Sequence, residues 1–395
     1  MVIKQMVTGR NYRKKLIYVA AVLSAAVLTV SPPAAAVETA AREAFLMDAV
    51  TGAVLFEKAP NTAMAPASMS KMMTVYMLFE RLHDGALSLD DTFRVSENAW
   101  RKGGAKSGSS TMFLEPGKRV SVEDLIHGII VQSGNDACIV VAEALASSEQ
   151  AFAEQMTERG RELGLTGSTF RNATGWPDPE HRMTPRDLAI LANRTISDFP
   201  EYYHYYSERE FTYNGIRQTN RNPLLYKEMG ADGLKTGHTE ESGYGLTASA
   251  VRNERRLILV VNGLPTRKAR SMEPERLFDW GFREFNNYAL FTAGDVVDKA
   301  DVWLGQATSV PLVIEKDVLL TMARKARRKM KVTLSYDGPI PAPVKQGDVI
   351  AKVVIAAPGQ DDVEIPLVAG ASVARLGLVG RLGAALKSIL WGESG

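Results

Sequence analysis

Cysteine is almost missing from this chain. Cys138 stands alone among 395 residues, so no intramolecular disulfide is possible and stability has to come from burial. Histidine is sparse as well: His83, His127, His181, His204 and His238 are scattered, with no pair at the spacing of a helical zinc motif. Neither a metal nor another cofactor is expected. The apolar run at 16–30 stops at 15 residues, short of the roughly 20 that a spanning helix requires. It follows Lys4, Arg10, Arg13, Lys14 and Lys15 and is followed by Ser31-Pro32-Pro33 and Ala34-Ala35-Ala36, which reads as a secretory signal peptide over 1–36 with cleavage after Ala36. An uncleaved membrane anchor is the alternative. Loss of that segment takes the formal charge from +2 to −3, which leaves no basic excess to favour nucleic acid.

What is present is ordinary globular composition, 45% apolar and 23% charged, on a chain long enough for more than one folded unit. Phe45-Leu46-Met47-Asp48 and Ala53-Val54-Leu55-Phe56 flank Thr51-Gly52 as a β-hairpin. Strand patterning returns at 244–250 and 256–261 around the turn Arg252-Asn253-Glu254, with helical periodicity between the two groups at 70–82, 122–146 and 149–163. An α+β fold follows, an antiparallel sheet built from both ends of a domain with helices in between. That domain is expected to span 37–296. Short strands punctuated by Gly and Pro then predict a small all-β domain at 297–370, with no catalytic constellation. Within it Arg324, Lys325, Arg327, Arg328, Lys329 and Lys331 form a basic run, read as a solvated turn or strand edge.

The final segment, 371–395, predicts an amphipathic helix. Leu378, Val379, Leu382, Leu386, Ile389 and Leu390 share one face, flanked by Arg381 and Lys387. Such a stripe suits a bilayer interface, with the basic side chains reaching the headgroups. A last helix packed on its own domain is the alternative, since three internal glycines disfavour a free-standing helix.

Three short motifs carry chemistry. Ser68-x-x-Lys71 precedes a helical pattern, so the lysine falls one turn after the serine and on the same face. A serine hydroxyl needs a base, and lysine serves only if burial or another cation lowers its pKa; Lys235 is the candidate cation. Ser133-x-Asn135 lies where Gly134 interrupts a helical pattern, so Ser133 could relay a leaving-group proton and Asn135 could bind a substrate amide. Lys235-Thr236-Gly237 precedes the alternating stretch at 244–250, and its glycine allows close backbone approach to a strand-like substrate. Each motif alone has a plain alternative: a helix cap and surface lysine, a helix-to-helix turn, a surface turn. Together, in this order, they point to a serine acyl-transfer enzyme.

At these residues the chain resembles the penicillin-binding proteins and serine β-lactamases, whose signature is this set of motifs. The likeness is strongest to the low-molecular-mass, penicillin-binding protein 5/6-type D-alanyl-D-alanine carboxypeptidases of peptidase family S11. It extends through Ala65-Pro66-Ala67, Met112-Phe113-Leu114-Glu115-Pro116-Gly117 and Asp232-Gly233-Leu234 to the β-domain and tail. The resemblance implies a transpeptidase-like catalytic domain and the following roles. Ser68 attacks the carbonyl between the two D-alanines of a peptidoglycan pentapeptide, Lys71 is its base, and the backbone N–H groups of Ser68 and His238 form the oxyanion hole. Thr236 and Arg270 bind the terminal carboxylate, and Arg221 is a second arginine of the cleft. Lys268-Ala269-Arg270-Ser271 departs from the family's usual local Gly-Arg-Glu, which leaves a surface arginine as the alternative for Arg270. β-Lactam antibiotics are implied as covalent inhibitors, and a periplasmic enzyme held on the outer face of the cytoplasmic membrane is implied by the layout. A β-lactamase, a DD-endopeptidase of the same fold and a non-catalytic wall-binding module are the alternatives. Asn193 and the acidic residues upstream of it form no Glu-x-x-Asn element to support the first, and the intact Ser68, Lys71 and Lys235 count against the last.

Overall fold

A computed structural model describes residues 3–7 and 37–383. The chain divides into two compact units, 36–283 and 284–395 together with 1–35.

In the first unit, β1 (Glu43–Asp48), β2 (Val54–Lys58), β3 (Ala231–Thr239), β4 (Gly243–Arg252) and β5 (Arg255–Leu264) form one antiparallel sheet in the order β2-β1-β5-β4-β3. Both ends of the unit thus meet in one sheet, with Phe45 opposite Val260 and Met47 opposite Ile258. The first hairpin turns where expected because Asp48 accepts hydrogen bonds from the N–H groups of Val50 and Thr51, both at 3.0 Å, while its other oxygen pairs with Arg255 at 2.8 Å.

Helix α1 (Lys71–His83) is apolar around nearly its whole circumference: Met72, Met73, Val75, Tyr76, Leu78 and Phe79 are all buried. Such a helix has to be central. It packs with α2 (Asn135–Ala146), α3 (Glu149–Glu162) and α4 (Pro185–Asp198). The expected helical stretch at 122–146 is broken: Val122–His127 is α-helical, Gly128–Gln132 forms a π-turn, and Ser133 adopts a left-handed conformation, φ 66°, before α2.

In the second unit, strands Val296–Trp303, Ser309–Ile314, Lys331–Tyr336, Val349–Ala356 and Val363–Ala369 make the body of a sheet whose alternating residues Val310, Leu312, Ile314, Val332, Leu334, Val353 and Ile355 build a separate core. Ile3–Val7 pairs in parallel with Lys331–Tyr336 at its edge; this strand falls inside the segment read as a leader, whose removal would leave Lys331–Tyr336 outermost. Phe285–Phe291 pairs with Val318–Ala323. The domain boundary expected after residue 296 therefore falls at Arg283/Glu284, because Phe285-Asn286-Asn287-Tyr288 follows the helix Arg267–Glu284 directly and carries no Gly or Pro to announce a change of unit. Of the tail, expected as a helix over 371–395, only residues up to 383 are described. Val373 and Arg375 make β-bridges to Val344 and Gly305 and helix begins only at 378, because Val373 is buried in the core of this unit. Leu386, Lys387, Ile389 and Leu390 lie outside the described residues.

Candidate active site

The nucleophile candidate sits on a 3-10 turn, Ala67–Ser70, that leads into α1. The expected helix start is thus a tighter turn, whose first residue, Ala67, has φ 47°, a left-handed conformation that a non-glycine residue holds only under constraint from its surroundings. Lys71 opens α1 and is fully buried. Its Nζ donates to Ser68 Oγ at 3.0 Å and also to the carbonyl of Thr174.

Burial lowers the Lys71 pKa to about 8, and the charge of Arg221 pushes the same way, while Cys138 and Asp136 push back. Of the two causes expected, burial or a second cation, burial is the larger, and the cation that adds to it is Arg221. Lys235, buried on β3, is itself held well below the usual lysine range, first by burial and then by the positive charges of Lys71, Arg221 and Arg270.

Ser133 and Asn135 come from the broken helix. Ser133 is 1% exposed, and its Oγ is a buried side-chain atom with no hydrogen-bond partner; Asn135 is nearly as buried. The glycine in Ser133-Gly134-Asn135 was the sequence signal for this break. Asp136, the next residue, went unnoticed in the sequence. Its fully buried carboxylate accepts from Thr111 Oγ1 at 2.6 Å and from the N–H groups of Met112 and Leu114 at 3.0 and 3.1 Å. This ties the 108–114 loop against α2. Ser110 of that loop accepts from the Asn135 N–H at 2.8 Å and from Arg221 Nη1 at 2.6 Å.

Lys235, Thr236 and Gly237 lie within β3 itself. A Cβ on Gly237 would stand 2.8 Å from the Pro66 carbonyl and 3.3 Å from the Ala67 side chain, so only glycine lets this strand pass the nucleophile turn at that distance. The 172–176 loop closes the other side. Asn172 Oδ1 accepts from the N–H groups of Thr174, Gly175 and Trp176, and Gly175, at φ +74°, would place a Cβ 2.0 Å from the Ala67 carbonyl. That loop supplies the Thr174 carbonyl to Lys71, a contribution that its sequence did not announce.

The resulting cleft has a volume of about 750 Å³. Ser68, Ser133, Asn135, Arg221, Thr236, Gly237, His238 and Arg270 line it, with Lys71 and Lys235 buried behind its wall. His238 stacks on Tyr244, with ring centroids 3.9 Å apart. Arg270 is 6% exposed, lies over the same tyrosine at 5.4 Å and donates to the Gly237 carbonyl at 3.3 Å. The surface alternative for this arginine does not hold. Burial and the neighbouring Arg267 lower its pKa to about 10, and the same two causes lower that of Arg221. Arg267 lines the cleft too and had no sequence motif to mark it. None of the three guanidinium groups forms an ion pair among the described residues, so this end of the cleft presents concentrated positive charge suited to an anion.

Comparisons with known proteins agree with this geometry. Residues 27–266 match the D-alanyl-D-alanine carboxypeptidase family, peptidase S11, and residues 285–375 match the C-terminal domain of penicillin-binding protein 5. The D-alanyl-D-alanine carboxypeptidase DacC of Escherichia coli is 38% identical over 345 residues, covering 87% of this chain and 86% of that protein. The crystal structure of penicillin-binding protein 5 from Haemophilus influenzae superposes with a TM-score of 0.75 at 37% identity, covering 88% of this chain and all of that one. Penicillin-binding protein D2 of Listeria monocytogenes, solved in its ampicillin-bound form, is 28% identical with a TM-score of 0.54, covering 62% of this chain and 98% of that one. With a serine, a buried lysine in hydrogen-bond contact and both matched domains in sequence, this chain belongs to the peptidase S11 family of D-alanyl-D-alanine carboxypeptidases.

Proposed function

We propose that this protein removes the terminal D-alanine from peptidoglycan pentapeptide stems through an acyl-enzyme and that β-lactams trap it at that stage. The observation that carries the reading is the 3.0 Å contact between Ser68 Oγ and a Lys71 whose burial lowers its pKa. Neutral Lys71 takes the Ser68 proton as Oγ bonds to the carbonyl carbon between the two D-alanines. Backbone N–H groups of Ser68 and His238 stabilise the oxyanion, which exists only on the way through the transition state. Collapse breaks the C–N bond, and Ser133, whose Oγ is otherwise unpartnered, relays the proton to the leaving amine. Asn135 binds the acyl-side amide, and Lys235 lies buried behind the nucleophile, its charge state coupled to that of Lys71. Water then hydrolyses the ester.

Arg270 gives the carboxypeptidase its preference for a free carboxylate, with Thr236 orienting that group and Arg221 adding charge. A charged hydrogen bond contributes about 1.5–3 kcal/mol. Arg270→Ala should accordingly lower kcat/KM on a free-acid D-Ala-D-Ala peptide by about 10- to 150-fold. On the same peptide amidated at its C-terminus the wild type should be poor and the variant little worse. Equal losses on both peptides would mean that Arg270 supports the fold instead.

Export by the leader segment and attachment by the tail complete the reading. Leu378, Val379 and Leu382 are 73%, 85% and 66% exposed, a bare apolar face at the start of the tail. No helix among the described residues is long and apolar enough to cross a membrane. A mature chain ending at Gly377, which keeps the buried Val373 in the core of the β-rich unit, should leave the pellet in vesicle sedimentation and keep its activity on soluble peptide. If it still sediments with vesicles like the full chain, the anchor lies elsewhere.

A further inference from the structure

The basic run of the β-rich unit has a defined place in its sheet. It forms the connection between Val318–Ala323 and Lys331–Tyr336, including the short helix Arg324–Arg327. Arg324, Lys325, Arg328, Lys329 and Lys331 are exposed, and the half-buried Arg327 lies over the Tyr288 ring at 5.3 Å. None of the six is ion-paired among the described residues. Six like charges within eight residues repel one another; Asp361 and Asp362, in the turn after Ala356 at the same end of the sheet, form no ion pair with them among the described residues. A solvated turn gains nothing from that concentration of charge, whereas a polyanion would relieve it.

Two features of the register place this turn. The chain leaves the sheet toward the tail beside Val344, which exchanges backbone hydrogen bonds with Val373, next to the start of strand Val349–Ala356. Lys331 pairs with Ala356 at the far end of that strand. Eight residues at about 3.3 Å each separate the two ends by roughly 25 Å, about three times a Debye length of about 8 Å. A tail seated on lipid therefore keeps its attachment point well outside the field of the turn. At the near end, Phe285 pairs with Ala323, so the turn lies where the chain enters this unit.

We propose that this basic turn docks the enzyme on polymeric peptidoglycan through the repeated free carboxylates of its stem peptides. The identity of the polymer rests on the peptidase reading above. Many stems on one glycan offer many carboxylates, so even weak contacts at the turn raise the local concentration of stems around the enzyme. Soluble pentapeptide, with a single stem, gains nothing from it.

The test compares the full mature chain with a variant combining Arg324→Gln, Lys325→Gln, Arg328→Gln and Lys329→Gln, which leaves Arg327 on Tyr288. Co-sedimentation with purified insoluble peptidoglycan is measured at low and raised ionic strength, beside turnover of soluble pentapeptide. The wild type should sediment at low salt and lose that binding as salt rises; the variant should bind about tenfold or more weakly at low salt. Its soluble-peptide turnover should match that of the wild type. Equal sedimentation of the two proteins would overturn the proposal. So would unchanged sedimentation with loss of binding to phosphatidylglycerol vesicles, which would assign the turn to a lipid surface. A wild type that bound the polymer through these cations yet released no D-alanine from soluble peptide would sink the peptidase reading and uphold the docking turn.

Discussion

Ser68→Ala should abolish both covalent labelling by penicillin and release of D-alanine, and mass spectrometry of the labelled wild type should find the penicilloyl group on Ser68. No other serine in the cleft has a buried lysine in hydrogen-bond contact. Lys71→Ala should keep the fold and lower acylation by about 10²–10⁴-fold, the usual range for a lost general base. The pH profile carries the same argument. An ordinary lysine at pH 7 is neutral in about one molecule in a few thousand, whereas a pKa of about 8 makes it neutral in about one in ten. Because only the neutral form can accept the serine proton, acylation should rise with pH up to about 8 and level off above it. A profile still climbing through pH 10, or an adduct on another serine, would remove Lys71 or Ser68 from these roles.

The second large effect is expected at a residue that touches no substrate. Asp136→Ala removes the acceptor that Thr111 Oγ1 and the N–H groups of Met112 and Leu114 share inside the fold. Each of these three buried donors left unsatisfied costs about 1–3 kcal/mol, so the catalytic unit should lose at least about 3 kcal/mol. That is a large part of a typical domain stability of about 5–15 kcal/mol. Chemical denaturation followed by the tryptophan signal should show the earlier midpoint. Penicillin acylation of the protein that remains folded should slow as well, because the loop tied down by Asp136 carries Ser110, which holds the Asn135 N–H and Arg221. Asp136→Asn keeps an acceptor of similar shape and should lose less. A midpoint unchanged in Asp136→Ala would show that the loop has other anchors of equal strength.

Much of this protein was legible in its sequence because the relevant signals are local. Ser68-x-x-Lys71 needs only one helical turn to bring its two groups together. The glycine in Ser133-Gly134-Asn135 breaks a helix in place, and Gly237 clears room for a neighbouring backbone. The hairpin pattern at 45–56, the alternation at 244–250 and the apolar run at 256–261 were enough to suggest one sheet made from both ends of the unit. Tertiary structure decided what depends on distant partners. The Lys71 pKa is set by burial of a whole helix, which no spacing reveals; the Thr174 carbonyl reaches Lys71 across a separation of 103 residues. Arg270 belongs to the cleft because the strand carrying Gly237 and the ring of Tyr244 lie against it, and Arg267 joins it with no motif of its own. The boundary between the units fell earlier than composition suggested, since the pairing of Phe285 with Ala323 assigns the strand to its unit and pairing partners leave no local trace. The sequence by itself determined the family and the class of reaction and singled out Ser68 and Lys71 as candidate nucleophile and base, because these rest on chemical identity at short spacing; the packed fold decided the lowered lysine pKa and the positive charge of the cleft, because desolvation and Coulomb energy depend on every neighbour at once.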